Sequence, residues 1–420
     1  MHSVIVVADD LTGAMDTSQG FAARGYETAV VADPEAEMDA VEEETTVLGV
    51  NTDTRYDDED DAANTVSDAV GAASARTVYK KVDSTLRGNF AAEVDAALDA
   101  AGSELALVAP AFPSIGRTTE DGVHYVDGTP VAETEYGDDE KGPASSSIRD
   151  LFASVDRPVE IVSHAALGSG DGGIAAAVER YDRAPVVVCD AVEDEHLANI
   201  AAAADDFDAL YVGSGGLAEH VRVRGADPGA RSRSPPPCST GAAFGVVGSV
   251  SATTLAQLEH VPEEAVVPVD GPALVAGEEP DAAVERALRR LREGRPAVLT
   301  AATDDEAVER THAAGREAGL PSAAVRDRVA NGLASAATAV LDEEVPSGLL
   351  LTGGDIAVAV IRGLDATTVR LTGEEVEAGI PVGTFVDGRT AGVPLVTKAG
   401  GFGSEEAIVN CLAVFSGDDA

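Results

Sequence analysis

SVIVVADDLTGAMDTSQGFAARG, residues 3–25, decides the fold. Its first six residues form an apolar run without alternation, the pattern of a strand buried on both faces. Two acids follow, Asp9 and Asp10, and then TGAMDTSQGFAARG carries apolar residues at helical spacing. A strand that feeds a helix through a short polar turn opens a βαβ unit. The same succession recurs. ETAVVA, TTVLGVN, RTVYKKV, ELALVAPA, PVVVCDA and ALYVGS read as strands, while DDAANTVSDAVGAASA and FAAEVDAALDAAG read as Ala-rich helices. The alternation predicts an α/β fold whose sheets are largely parallel and flanked by helices.

At 420 residues the chain is too long for one ordinary core, so two domains are expected. The periodicity breaks at RGADPGARSRSPPPCSTG, where Pro, Ser, Arg and Gly crowd together, and resumes with AAFGVVGSVSATTLAQLEHV, AVVPVD, PAVLTAA, GLLLTGG and VPLVTKAGGFGS. This places a boundary near residues 228–241, with one α/β domain over 1–230 and a second over 241–420. No fixed-period repeat is visible. The segment 137–147, GDDEKGPASSS, has turn chemistry and is expected to be a mobile loop.

Charge is the strongest compositional signal: 74 acidic against 29 basic residues give a net of −45. Such a surface repels nucleic acid, whose binding needs clustered Lys and Arg. Lysine is confined to Lys80, Lys81, Lys141 and Lys398. An acidic, Lys-poor but well-patterned chain reads as adapted to molar salt, where the screening length falls to ~3 Å. Disorder, the other home of acidic chains, is excluded by the apolar patterning. Cys189, Cys238 and Cys411 are dispersed, with no zinc or disulfide spacing. No apolar run approaches the ~18 residues of a membrane span, and the N-terminus lacks a basic leader. A cytoplasmic protein is expected, with no membrane partner and with homo-oligomerisation left open.

In open parallel sheets ligands gather beyond the carboxyl ends of strands. Asp9 and Asp10 lie at such an end, where carboxylates can orient a hydroxyl, act as a base or hold Mg²⁺ through water. One Asp alone would be read as a helix cap. YKKVDSTLRGNF (79–90) places Lys80, Lys81, Asp83, Ser84, Thr85, Arg87 and Asn89 at another strand end. Two of the four lysines fall here, which points to an anionic ligand, a surface ion-pair patch being the plainer alternative. NTDTRYD (51–57) adds Asp53 and Arg55. PAFPSIGRTTEDGVHYVDG (110–128) adds Arg117 and His124, the latter better explained by structure than by catalysis. GSGDGG (168–173) matches a dinucleotide fingerprint literally, but it stands away from the preceding strand and carries Asp171 where pyrophosphate would sit. It reads as a loop.

The second half has no P-loop and no protein-kinase signature. Three glycine or hydroxyl turns end strands instead. GSVSATT (248–254) presents Ser249, Ser251 and Thr253. LLTGGDIA (350–357) presents Gly353, Gly354 and Asp355. VTKAGGFGS (396–404) presents Lys398, Gly400, Gly401, Gly403 and Ser404. Glycine turns before helices let backbone amides approach phosphate. EEVEAGIPVGTFVDG (374–388) reads as a strand-rich connection.

IVVADDLTGAMDT, NTDTRYD, YKKVDSTLRGN, PAFPSIGRTTEDGVHYVDG, VGSVSATT, LLTGGDIA, PVGTFVDG and LVTKAGGFGS together resemble the four-carbon acid sugar kinase family, in the family's order and over nearly the whole chain. The resemblance implies an N-terminal sugar-acid domain, a C-terminal nucleotide domain, and use of ATP and Mg²⁺ to phosphorylate acids such as threonate, erythronate or 3-oxo-tetronate. It carries nucleotide contacts onto Ser249, Gly353, Gly354, Asp355, Gly400 and Gly401. It carries the acid side onto Asp9, Asp10, Arg55, Lys81, Asp83 and Arg87. The acidic surface and the 137–147 loop depart from the family. On this reading Arg55, Lys81 and Arg87 clamp the acid's carboxylate, Asp9 or Asp10 orients the attacking hydroxyl, and the glycine turns with Lys398 hold ATP. The rivals are a non-catalytic sugar-acid sensor, which would need no phosphate site, and a dehydrogenase built on GSGDGG.

Overall fold

The computed structural model describes residues 2–36, 45–167, 173–229 and 241–416. Residues 168–172 of GSGDGG, most of the Pro-rich stretch and Cys238 lie outside them. The chain resolves into two units, Met1–Arg231 and Ser232–Ala420.

The first unit carries β1 (His2–Ala8), β2 (Thr28–Val31), β3 (Val47–Asn51), β4 (Ala75–Lys81), β5 (Leu105–Ala109), β6 (Arg117–Glu120), β7 (Val123–Val126), β8 (Thr129–Pro130), β9 (Val159–Val162), β10 (Val186–Cys189) and β11 (Ala209–Gly213). Its main sheet runs β2-β3-β1-β4-β11-β5-β10-β9. Every pairing within it is parallel. Both faces of β1 are covered: Ile5 and Val7 join a cluster with Val66 and Val94, while Val4 and Val6 join one with Phe21 and Tyr79. That double burial explains why the strand reads as an unbroken apolar run. Each such side chain contributes about 1.5–3 kcal/mol. β6, β7 and β8 form a small antiparallel sheet. Asp121 and Gly122 both take positive φ, 52° and 73°, as a tight two-residue hairpin turn requires.

The second unit carries β12 (Phe244–Val247), β13 (Val266–Pro268), β14 (Ala297–Thr300), β15 (Leu349–Thr352), β16 (Thr368–Glu375), β17 (Pro381–Phe385) and β18 (Pro394–Lys398), ordered β13-β14-β12-β15-β18-β17-β16. The five strands from β13 to β18 are parallel; β17 and β16 are antiparallel. The 374–388 connection is thus the β16–β17 hairpin.

Each sheet has a point where its crossovers part. In the first unit β1 leads through helix Leu11–Ala22 to β2 on one side, and its neighbour β4 leads through helix Phe90–Ala101 to β5 on the other. In the second, β12 leads through helix Ala252–Glu259 to β13, and its neighbour β15 through helix Gly354–Gly363 to β16. The loops therefore diverge beyond β1/β4 and beyond β12/β15, which opens a crevice at each place.

Candidate functional site

The crevice of the first unit collects Asp9, Asp10, Arg55, Lys81, Asp83 and Arg87 at the ends of β1, β3 and β4. Arg55 is its hub. Its Nε donates to Asp9 Oδ2 at 2.7 Å and its Nη2 to Asp9 Oδ1 at 3.0 Å, a two-pronged pair. Its Nη1 donates to Asp10 Oδ2 at 2.9 Å, and Nη2 lies 3.7 Å from Asp83 Oδ1. Arg87 grips Asp83 in the same way, Nε to Oδ2 at 2.8 Å and Nη2 to Oδ1 at 3.1 Å, with Nη1 3.7 Å from Asp139. Both guanidiniums are thus turned onto carboxylates of the chain, where the sequence suggested a direct clamp on an acid. A guanidinium has one fixed fork, and in Arg55 its Nε edge is already taken.

Lys81 differs. It is 4% exposed. Among the described residues it makes no ion pair within 4.0 Å. A Cβ on Gly13 would lie 2.5 Å from Lys81 Nζ and 2.5 Å from Asp10 Oδ1, so the ammonium rests where only glycine leaves room. Asp10 is also the helix cap, since its Oδ1 accepts from Gly13 N at 3.0 Å. Asp9 caps nothing, being spent on Arg55.

Burial pushes the Asp10 carboxyl up, but Arg55 and Lys81 pull it below the usual range. Burial likewise opposes the charge on Asp83, and Arg87 and Arg55 hold it well below that range. Both are carboxylates at neutral pH. Groups so acidic accept hydrogen bonds and orient a hydroxyl; they are weak bases.

Several supports gave little sign in the sequence. Lys80, next to Lys81 but on the opposite face of β4, pairs with Glu93 at 2.8 Å, and both are buried. Thr54 Oγ1 donates to Glu93 Oε1 at 2.7 Å, and Lys80 Nζ to Lys81 O at 2.7 Å, so this pair braces the backbone on both sides of the site. The 137–147 segment is tied to the site as well. Gly88 N donates to Lys141 O at 2.9 Å, and Lys141 Nζ donates to Asp57 O at 2.6 Å and Asn89 Oδ1 at 3.1 Å. His124 is fully buried. Its Nε2 meets Ser84 O at 2.9 Å and so carries the proton; its Nδ1 accepts from Thr119 at 3.0 Å. Burial drives its pKa down to about 4, so it is a neutral brace. Arg117 faces the Tyr136 ring at 6.0 Å, as Arg87 does at 5.4 Å.

In the second unit the three turns meet. A Cβ on Gly353, whose φ is 90°, would lie 3.2 Å from Ser249 N; one on Gly400 would lie 2.3 Å from Ser249 Oγ. Gly354 opens a helix with no side-chain cap. Asp355 is half exposed and 3.6 Å from Arg326. Lys398 is fully buried, and its Nζ donates to the carbonyls of Ala399, Gly400 and Phe402 at 2.9, 3.3 and 3.0 Å. Ser251 and Thr254 hydroxyls also donate to Gly400 O, at 2.8 and 2.9 Å. Gln257 Nε2, which no sequence motif marked, donates to the carbonyls of Phe402, Gly403 and Ser404. The amides of Gly400, Gly401 and Gly403 have no hydrogen-bond acceptor among the described residues. Unspent amides beside an uncapped helix start fit a phosphate group.

Two family models match the chain. Residues 4–221 match the model of a sugar-binding N-terminal domain, and residues 244–408 that of a nucleotide-binding C-terminal domain. The chain is 33% identical to a D-threonate kinase of Salmonella typhimurium over 97% of both chains. It is 30% identical to a D-erythronate kinase of Heliobacterium modesticaldum over 98% of this chain and 97% of that one. A Haemophilus influenzae protein of known structure shares the fold, with a TM-score of 0.72 at 21% identity over 98% of this chain and 100% of its own.

Proposed function

The chain belongs to the four-carbon acid sugar kinase family, and from that premise we propose that it transfers the terminal phosphoryl group of ATP to a hydroxyl of a threonate- or erythronate-like acid. The observation that carries the reading is the presence of two unspent features: a buried ammonium, Lys81, among balanced charges, and a glycine loop with unspent amides. Asp9, Asp10 and Asp83 are offset by Arg55, Lys81 and Arg87. An incoming carboxylate would add the one charge that Lys81 lacks a close partner for.

The hydroxyl oxygen attacks the terminal phosphorus as the bond to the ADP oxygen breaks, and the hydroxyl proton passes late to the carboxylate of Asp10 or Asp83 that accepts its hydrogen bond. In so loose a transition state the protein mainly positions groups and neutralises charge. Carboxylates that stay ionised suit that role, because Asp10 and Asp83 can accept the hydroxyl's hydrogen bond without first taking its proton. Ser249, Gly353, Gly354, Asp355, Gly400, Gly401 and Gly403 would line the nucleotide's side. Asp355 and Glu377 are carboxylates beside these loops. Asp355 lies near Arg326, and Glu377 accepts from Ser404 and Asn410. Neither stands free, so the phosphates of the bound nucleotide would hold Mg²⁺, which would supply charge neutralisation there.

The test is ATP consumption by the full chain in molar KCl with each stereoisomer of threonate and erythronate, and with 3-oxo-tetronate. Turnover with one of them is expected. Lys81→Met should raise that acid's KM by about 10–150-fold, the worth of a charge-assisted hydrogen bond, and leave the nucleotide KM unchanged. Acid binding without any turnover would leave a sensor in place of a kinase.

A further inference from the structure

Lys398 ends β18, and no carboxylate lies within 4.0 Å of it among the described residues. A buried ammonium without an ion-pair partner is costly unless other groups solvate it. Here the solvating groups are the carbonyls of Ala399, Gly400 and Phe402. The peptide unit is planar and trans, so the carbonyl of one residue and the amide of the next point in opposite directions. Drawing the Ala399 carbonyl inward turns the Gly400 amide outward. The Gly400 carbonyl does the same for Gly401, and the Phe402 carbonyl for Gly403. Those three amides have no acceptor among the described residues; the amide of Ala399 has none either, and the carbonyl before it, Lys398 O, accepts from Gly353 N instead. The one carbonyl of this run that Lys398 does not hold, that of Gly401, precedes the one amide spent inside the loop, Phe402 N to Ala399 O at 3.2 Å. Over the four peptide units from Ala399 to Gly403 the correspondence is residue for residue.

We propose that Lys398 is a positioning residue of the nucleotide site, shaping the 399–403 loop from beneath so that its amides face the phosphates, and not itself a phosphate ligand. The proposal deepens the kinase reading and rests on it.

The charged and titratable groups facing Lys398 are the Glu377 carboxylate, from the turn after β16, and the Cys411 thiol, from helix Ala407–Ala413. Helix Ala252–Glu259 offers only the neutral Ser251, Thr254 and Gln257 to the loop. Burial lowers the ammonium to about 8, against weaker upward pulls from Cys411 and Glu377. Burial pushes Cys411 up to about 12, so it stays a neutral thiol. Above about pH 8 the lysine therefore loses a donor and its charge, and the cradle should loosen. Stability should not fall with it. The folded pKa lies below the unfolded one, so the cost of burying this charge is relieved as pH rises through that window.

Equilibrium titration of the full chain in molar KCl with ADP and with a non-hydrolysable ATP analogue tests this. Lys398→Met should weaken the analogue about tenfold or more and leave sugar-acid affinity unchanged. In the wild type, affinity should fall between about pH 7.5 and 9.5 while the melting temperature does not, and the variant should show no such step. The pH series needs no variant and holds if Lys398→Met does not fold. Unchanged affinity in the variant, or a pH-independent wild type, would overturn the role of Lys398. So would a complex with the analogue in which Nζ contacts a phosphate oxygen. Failure of the wild type to bind either nucleotide would instead overturn the kinase reading.

Discussion

Gly13 shows how a single missing methyl can be read as function. It lies inside helix Leu11–Ala22, where glycine costs about 1 kcal/mol relative to alanine. The space a Cβ would need is taken by Lys81 Nζ and Asp10 Oδ1. Gly13→Ala is therefore expected to weaken acid binding by displacing the ammonium, although alanine is the better helix former. Gly71 supplies the control. It lies in helix Glu59–Ala72 with nothing within 4 Å of its Cβ position, so Gly71→Ala should raise stability by up to about 1 kcal/mol and leave kinetics alone. Steady-state kinetics and urea denaturation of both variants check the pair. If Gly13→Ala matches Gly71→Ala in acid KM, the ammonium does not work where the structure places it. At this scale the sequence disclosed identities but not pairings. Rare lysines and strand-end acids marked Lys81, Asp9 and Asp10. That Arg55 would be spent on Asp9, 46 positions away, needed the fold, because three loops from three strands meet there.

Elements were legible where burial is simplest. β1, β5, β10 and β15 are buried along nearly their whole length and read as unbroken apolar runs. β4 was read for its charges, and its alternation matters as much. Lys80 and Lys81 point to opposite faces, one to Glu93 of helix Phe90–Ala101 and the other to Gly13 of helix Leu11–Ala22. Nothing local distinguishes the brace from the lysine of the crevice, because both follow the same apolar run. The same holds for Lys141, whose turn-rich surroundings read as mobile while its ammonium ties them to Asn89. The Lys80–Glu93 pair makes a sharp prediction. Glu93→Gln leaves a buried ammonium without its counter-charge and should cost about 3–5 kcal/mol. Lys80→Met with Glu93→Leu removes both charges and should come within about 1–2 kcal/mol of the wild type. Chemical denaturation in molar KCl compares them; equal losses would show that packing, not charge, holds this position.

For the whole molecule the governing quantity is its charge of −45, distributed over helices that present acids to solvent. Helix Glu59–Ala72 begins with exposed Glu59, Asp60 and Asp61, and helix Asp305–Glu317 with exposed Asp305 and Glu306. Acids at helix starts are locally favourable, so each helix gains while the surface as a whole repels itself. Local pairs offset little of this, since exposed ion pairs such as Arg310–Glu306 are worth only about 0–1 kcal/mol. The buried site behaves differently. Asp9, Asp10 and Asp83 pair with Arg55 and Arg87 at short range, with the buried Lys81 beside them, and such groups are screened far less by salt. Salt should therefore act on the fold and spare the internal geometry of the site. Raising KCl from about 0.2 M to about 3 M shortens the screening length from roughly 7 Å to below 3 Å. Relief of even about 3 kcal/mol of repulsion lifts the melting temperature of a unit of roughly 200 residues by about 6–12 °C. Thermal scans across that range should show the rise, while acid affinity, measured at temperatures where the fold is intact, should change much less. A flat melting temperature would sink the reading of the surface as salt-adapted. A melting temperature that rises together with a steep loss of acid affinity would show that the site is open to ions and that its balance of charges is not the buried one described.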